Sequence, residues 1–161
     1  FQVITLCNVL EHFTQPREAL ERLLAVLAPG GVIAICVPNI AGLLHRLVVA
    51  SYALTAGRWT TPLEVLYQTD NRCRHQYHFA RETLILLVES LGLSVRQYWT
   101  QDIIDVDRLE LRVNLSEASS ALRWASTPPV KSLLKMMLGL SARWGCADEL
   151  VLIAQRDAHP A

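Results

Sequence analysis

Phe1 to Leu6 is a largely apolar run in which Val3, Ile4 and Leu6 are the branched residues of a buried strand, and polar Asn8, Glu11 and His12 mark where it ends. Gln15 to Leu27 places Ala19, Leu20, Leu23, Leu24 and Leu27 on one helical face, with Arg17, Glu18, Glu21 and Arg22 largely opposite. Thr14 is the expected N-cap and Pro16 suits the first turn. Pro29-Gly30-Gly31 stops that helix. Val32 to Val37, apolar throughout, then predicts a central parallel strand buried on both faces. Residues 40–54 are apolar around most of a helical circumference and need a cover, whereas 57–77 lack a clear period and predict a long loop with a short helix. An amphipathic helix is predicted over Ala80 to Leu91, stopped by Gly92, and a strand over Leu93 to Thr100. Two helices follow, Asp107 to Trp124 and Val130 to Trp144, and a last strand, Asp148 to Arg156. Strands alternating with helices define an α/β domain, and its strand-helix-strand units are right-handed.

Ligands of open α/β sheets bind just beyond the carboxyl ends of the strands. A strand that stops in Asn8, Glu11 and His12 therefore points at a site, and Pro38-Asn39 at the end of the next strand faces the same crevice. His12 suits proton transfer near neutral pH, against the plainer reading that it packs or bonds to backbone. Glu11 is either a second candidate base or a cap on the following amides, and Asn8 is expected to fix the turn through nearby backbone. Cys73, His75 and His78 lie close in sequence, but a fourth ligand and the paired spacing of a structural zinc site are missing, so no metal is expected.

The 161 residues fit one domain, and 52% hydrophobic with 19% charged residues is globular but oily. A net charge of zero with scattered Lys and Arg gives no face for nucleic acid. Four cysteines without a CxxC pair, and no signal-peptide pattern, suit a reduced, cytoplasmic location. The longest apolar run, Ile40 to Ala56, is broken by His45 and Arg46 and falls short of the roughly 20 residues of a spanning helix.

Taken together, Phe1-Gln2-Val3-Ile4-Thr5-Leu6-Cys7-Asn8-Val9-Leu10-Glu11-His12, Pro16, Leu20, the turn Leu27-Ala28-Pro29-Gly30-Gly31 and the closing Pro38-Asn39 resemble the second half of a class I S-adenosylmethionine-dependent methyltransferase. His78-Phe79-Ala80-Arg81-Glu82-Thr83-Leu84 is similar to a helix opening in one branch of that family. The resemblance implies a truncated Rossmann-like methyltransferase fold. Segments 2–7, 32–37, 93–100 and 148–156 become strands four to seven, in the order 4-5-7-6 with strand seven antiparallel. Residues 1–161 then form the carboxyl-terminal half of one domain, with a helical insertion at 107–144 between strands six and seven.

It also implies S-adenosylmethionine as cofactor, with Cys7, Asn8 and Val9 as the remaining wall of its site, because the glycine-rich turn after strand one and the acid ending strand two are not in this sequence. His75, Tyr77 and His78 fall on the loop that folds over the acceptor in the family, and Pro38 and Asn39 are placed on the acceptor side by the strand-end rule. The chain, which starts at Phe rather than Met, is thus expected to be a fragment, inactive alone. Its complete enzyme would methylate a small-molecule acceptor, at oxygen. The alternatives are a non-catalytic remnant or interaction module, and a membrane-surface enzyme with a lipid-like acceptor. The second draws on the oily helix 40–54 and the basic amphipathic helix 130–144, which truncation explains without a membrane.

Overall fold

Val3–Cys7 (β1), Val32–Pro38 (β2), Leu93–Gln101 (β3) and Glu149–Arg156 (β4) form one mixed sheet in the order β1-β2-β4-β3 in the computed structural model, which describes residues 1–69, 74–102, 106–108 and 127–157. β1 runs parallel to β2 in a register that sets Val3 beside Val32 and Cys7 beside Cys36. β4 is antiparallel to β2, with Pro38 opposite Glu149. Side-chain bonds from Ser94 to Asp157 and from Arg96 to Gln155 count in opposite directions along β3 and β4, as in an antiparallel pair. The four segments thus lie in the spatial order expected of them, with the last reversed. β1 is an edge strand of this sheet, as the order 4-5-7-6 implies, with β2 as its one neighbour; the burial expected of it holds only in part, since Val3 is 59% exposed.

The sheet is capped by helices on the face carrying Leu6, Ile33, Ile35, Val37, Leu150, Leu152 and Ala154. Pro16–Val26 (α1) contributes Leu20, with Leu27 just beyond it, and Arg81–Glu89 (α4) contributes Leu84 and Val88 to the same cluster. Each of these large side chains adds about 1.5–3 kcal/mol by leaving water. Burial along β2 alternates, with Ile33, Ile35 and Val37 fully buried and Val32, Ala34, Cys36 and Pro38 half-buried. The expected burial of both faces therefore holds for one.

Gln15, not Thr14, is the N-cap of α1, and it makes no side-chain capping bond; Pro16 takes the first turn as expected. The Pro-Gly-Gly stop has two separate causes. Gly30 is left-handed at φ +73°, and a Cβ on Gly31 would lie 2.8 Å from the Ala28 carbonyl oxygen. At the start of α4 the Thr83 hydroxyl accepts the Ala80 N–H at 3.0 Å and donates to its carbonyl at 2.9 Å. Arg17 Nη1 donates to Ser90 Oγ at 2.8 Å, which ties α1 to the end of α4.

Contacts divide the chain into two compact units, Phe1–Ile40, Gln76–Thr100 and Glu149–Ala161 against Ala41–His75 and Gln101–Asp148. The second holds Leu43–Leu54 (α2), Thr61–Tyr67 (α3), a 3₁₀ turn at Val106–Arg108 and Pro128–Arg143 (α5). His45 Nε2 and Tyr67 Oη, 2.8 Å apart, join α2 to α3. The Leu43 N–H donates to the Cys146 carbonyl at 2.8 Å, and Lys135 pairs with Asp107 at 2.7 Å. No residue of α2 is fully buried. The helix expected over 107–124 lies, past Arg108, outside the described residues. No helix among the described residues is long and apolar enough to cross a membrane.

Candidate functional site

The carboxyl tips of β1 and β2 emerge at one rim because the strands are parallel and in register. Reversal of β4 brings its first residue, Glu149, to that same rim. At the tip of β1, Asn8 adopts φ +52°, a conformation Asn tolerates better than most residues. Its N–H donates to the Cys36 carbonyl at 2.9 Å, continuing the ladder one step. Its side chain does not bond nearby backbone, as had been expected, because Nδ2 donates instead to Glu149 Oε1 at 3.0 Å, 141 residues away in sequence.

The left-handed step turns the chain into a 3₁₀ turn, Leu10–His12, anchored by fully buried Leu10. Glu11 follows at 1% exposure, and neither carboxylate oxygen has a hydrogen-bond partner. It therefore does not cap amides. Burial pushes its pKa up and nearby Glu149 adds to this, while its own peptide N–H and His12 pull the other way. His12 Nε2 stands 3.7 Å from Glu11 Oε1, an ion-pair distance too long for a hydrogen bond.

The Glu11 carbonyl accepts the N–H groups of Gln76 at 2.8 Å and Tyr77 at 3.0 Å. This pins the approach to α4 against the turn. Two residues on, Phe79 forms a parallel bridge with Asn39, and the Ile40 N–H donates to the Phe79 carbonyl at 3.0 Å. Asn39 is 6% exposed, whereas Tyr77 is 42% exposed and stacks on Phe79 at 6.4 Å. Of the residues singled out in the sequence, Cys7, Asn8, Val9, Glu11, His12, Pro38, Asn39, Tyr77 and partly buried His78 thus belong to one unit and follow one rim. His75 belongs to the other unit, where its N–H donates to the Tyr67 carbonyl at 3.2 Å, and Cys73 lies outside the described residues.

Glu149 is the residue the sequence reading passed over. The signal was present: an acid heading an otherwise apolar strand, only 2% exposed once folded. A cavity of about 290 Å³ lined by Glu21, Leu24, Leu91, Leu93 and Arg156 lies at the opposite rim. There Arg156 Nη1 donates to the Leu24 and Leu27 carbonyls at 2.7 and 2.6 Å.

Residues 1–98, more than half of the chain, match the family model of a methyltransferase domain, and the chain belongs to that family. Its class is that of the class I S-adenosylmethionine-dependent methyltransferases, whose cofactor is S-adenosylmethionine. No curated protein matches the sequence. Among solved structures, the cyclopropane synthase MmaA2 from Mycobacterium tuberculosis is similar at 18% identity and TM-score 0.56, over 96% of this chain and 55% of that one. The mycolic acid cyclopropane synthase CmaA1, in complex with SAH and CTAB, is similar at 15% identity and TM-score 0.50, over 96% and 55%. The cyclase SpnF is similar at 13% identity and TM-score 0.51, over 99% and 50%. At such identities the likeness is one of fold, an α/β methyltransferase-like fold with a mixed four-stranded sheet. The chain spans about half the length of the solved structures it matches.

The exposed tip Cys7-Asn8-Val9 fits one wall of a cofactor site. The Asn8 amide is engaged by Glu149, and Cys7 and Val9 are exposed beside it. Gly30 and Gly31 add nothing to it, since they precede a strand at the opposite rim, whereas a nucleotide-binding turn follows a strand and opens a helix.

Proposed function

We propose that the chain is the carboxyl-terminal half of a class I methyltransferase domain, with β1, β2, β3 and β4 as strands four, five, six and seven. The complete domain transfers a methyl group to a hydroxyl of a small-molecule acceptor. The observation that carries this reading is the convergence on one rim of the β1 tip, the β2 tip and the head of reversed β4, joined by the Asn8–Glu149 bond.

When bound, S-adenosylmethionine supplies an electrophilic methyl group on a sulfonium, and the protein's work is alignment and removal of the acceptor proton. Cys7, Asn8 and Val9 line the cofactor side. His12, with a side chain 26% exposed, takes the proton. Buried Glu11 at 3.7 Å favours the imidazolium that results, as an orienting and charge-balancing group. Pro38, Asn39, Tyr77 and His78 contact the acceptor, with Tyr77 offering an exposed ring.

An amide-resolved NMR titration of the chain with S-adenosylhomocysteine tests the cofactor side. Shift changes are expected at Cys7, Asn8 and Val9 with Kd of about 1 mM or weaker, since one wall alone supplies about 4 kcal/mol at most. No change at that tip at saturating ligand, or micromolar affinity, would refute the half-domain reading. In the complete protein, His12→Ala is expected to lower kcat by about 10²–10⁴. Undiminished turnover would remove His12 from the role of base.

A further inference from the structure

Cys7 and Cys36 are partners in register on adjacent strands, so their side chains leave the sheet on the same face. It is the half-buried face, opposite the helices. Their Sγ atoms lie 3.7 Å apart, Cys7 is exposed, and both are free thiols. Neighbouring strands are spaced by about 4.8 Å, inside the roughly 4.4–6.8 Å that a disulfide spans between Cα atoms. Closing to a bond of about 2.05 Å moves the two sulfurs together by about 1.6 Å, within reach of side-chain rotation.

We propose that Cys7 and Cys36 are an oxidisable dithiol that a hydroperoxide converts to an intramolecular disulfide, with Cys7 as the attacking thiol and Cys36 as the resolving one. In the first step the Cys7 thiolate attacks one peroxide oxygen, the O–O bond breaks, and sulfenic acid and hydroxide form. In the second, Cys36 sulfur attacks the Cys7 sulfur, the S–O bond breaks, and the thiol proton and departing hydroxide leave as water. Two thiols and one hydrogen peroxide give one disulfide and two waters; each sulfur loses one electron and the two peroxide oxygens gain them.

The assignment of roles follows from surroundings. Burial, then the adjacent Cys7 thiol, then Glu149 and Glu11 push the Cys36 thiol up to about 12, so Cys36 is a poor first nucleophile. Cys7 meets solvent, where the oxidant arrives. The bond would staple edge strand β1 to β2 one residue before the left-handed turn at Asn8. The inference stands on the sheet register and not on the proposed methyl transfer.

The test uses the full chain carrying Cys73→Ser and Cys146→Ser, so that two thiols remain. After native exposure to hydrogen peroxide, both thiols are expected to disappear together, with the chain lighter by two hydrogen atoms and the peptides bearing Cys7 and Cys36 linked. With Cys36→Ser added, Cys7 is expected to stop at the sulfenic acid, and dimedone to trap about tenfold more of it than in the parent. A trivalent arsenical that bridges paired thiols is expected to load once per reduced parent chain and not on the variant that also carries Cys36→Ser. Equal dimedone trapping in parent and Cys36→Ser, or linkage only between separate chains, would overturn the proposal.

Discussion

Asp148 is 9% exposed; its Oδ1 accepts the Leu44 N–H at 3.3 Å, and its Oδ2 has no hydrogen-bond partner. Burial raises its pKa from 3.8 to about 6, Asp102 adds to the effect, and the Leu44 amide opposes it. The folded protein therefore holds this proton more tightly than the unfolded chain does. Stability is lost as pH rises from 3.8 towards 6, and the loss is complete above about 6. That gap, at about 1.4 kcal/mol per pH unit, corresponds to about 3 kcal/mol, and residual solvent around the carboxylate brings the expected range to about 1–3 kcal/mol. Asp148→Asn removes the charge, keeps an oxygen for the Leu44 N–H, and places a donor where the orphan oxygen stood. In urea titrations followed by tryptophan fluorescence, the variant is expected to match the parent near pH 4. At pH 7.5 its midpoint should be higher by about 0.5–1.5 M, taking about 2 kcal/mol per molar urea. An equal difference at both pH values would show a packing effect instead, and a less stable variant at pH 7.5 would refute the reasoning.

Asn8→Ala leaves Glu149 buried without its Asn8 donor and puts a Cβ into a left-handed conformation, so a loss of about 2–4 kcal/mol is expected in the same assay. Asn8→Gly relieves the second cost, and a loss no smaller than that of Ala would refute this division. Gly31→Ala meets the Ala28 carbonyl and Leu27 at 2.8 Å and is expected to lower Tm, with about 1–3 kcal/mol lost. Gly139→Ala, within α5 with open space around its Cβ, is expected to raise stability by up to about 1 kcal/mol.

Most elements were legible in the sequence because their periods are strong. The face Ala19, Leu20, Leu23, Leu24 and Leu27 turns inwards, and the Pro-Gly-Gly stop falls between α1 and β2. Boundaries moved by a residue or more, as with Gln15 for Thr14 and a start at Leu43 rather than Ile40, because end residues are set by local bonds that periodicity does not encode. The site was half legible. The strand-end rule led to Asn8, Glu11, His12, Pro38 and Asn39, and two main-chain bonds to the Glu11 carbonyl bring Tyr77 to them. What no local pattern carries is a partner 141 residues away, or a glutamate sunk without a hydrogen bond, since Glu is ordinarily an exposed residue.

The reversed strand explains why the missing half of the pattern was long-range. In a wholly parallel sheet, the residue that opens a strand lies at the rim opposite the site, and an acid there would be structural. With β4 antiparallel, its opening residue is carried to the rim where β1 and β2 end. β1 and β4 are both neighbours of β2, so they stand about 9–10 Å apart, and the Asn8 and Glu149 side chains meet at the level of the β2 tip, where Pro38 pairs with Glu149. Asn8 takes up its left-handed turn while its N–H still extends the ladder, and Asn is among the few residues for which that turn is cheap. The polar residue at the end of the first strand and the acid at the start of the last are therefore one structural choice, joined by the Asn8–Glu149 bond.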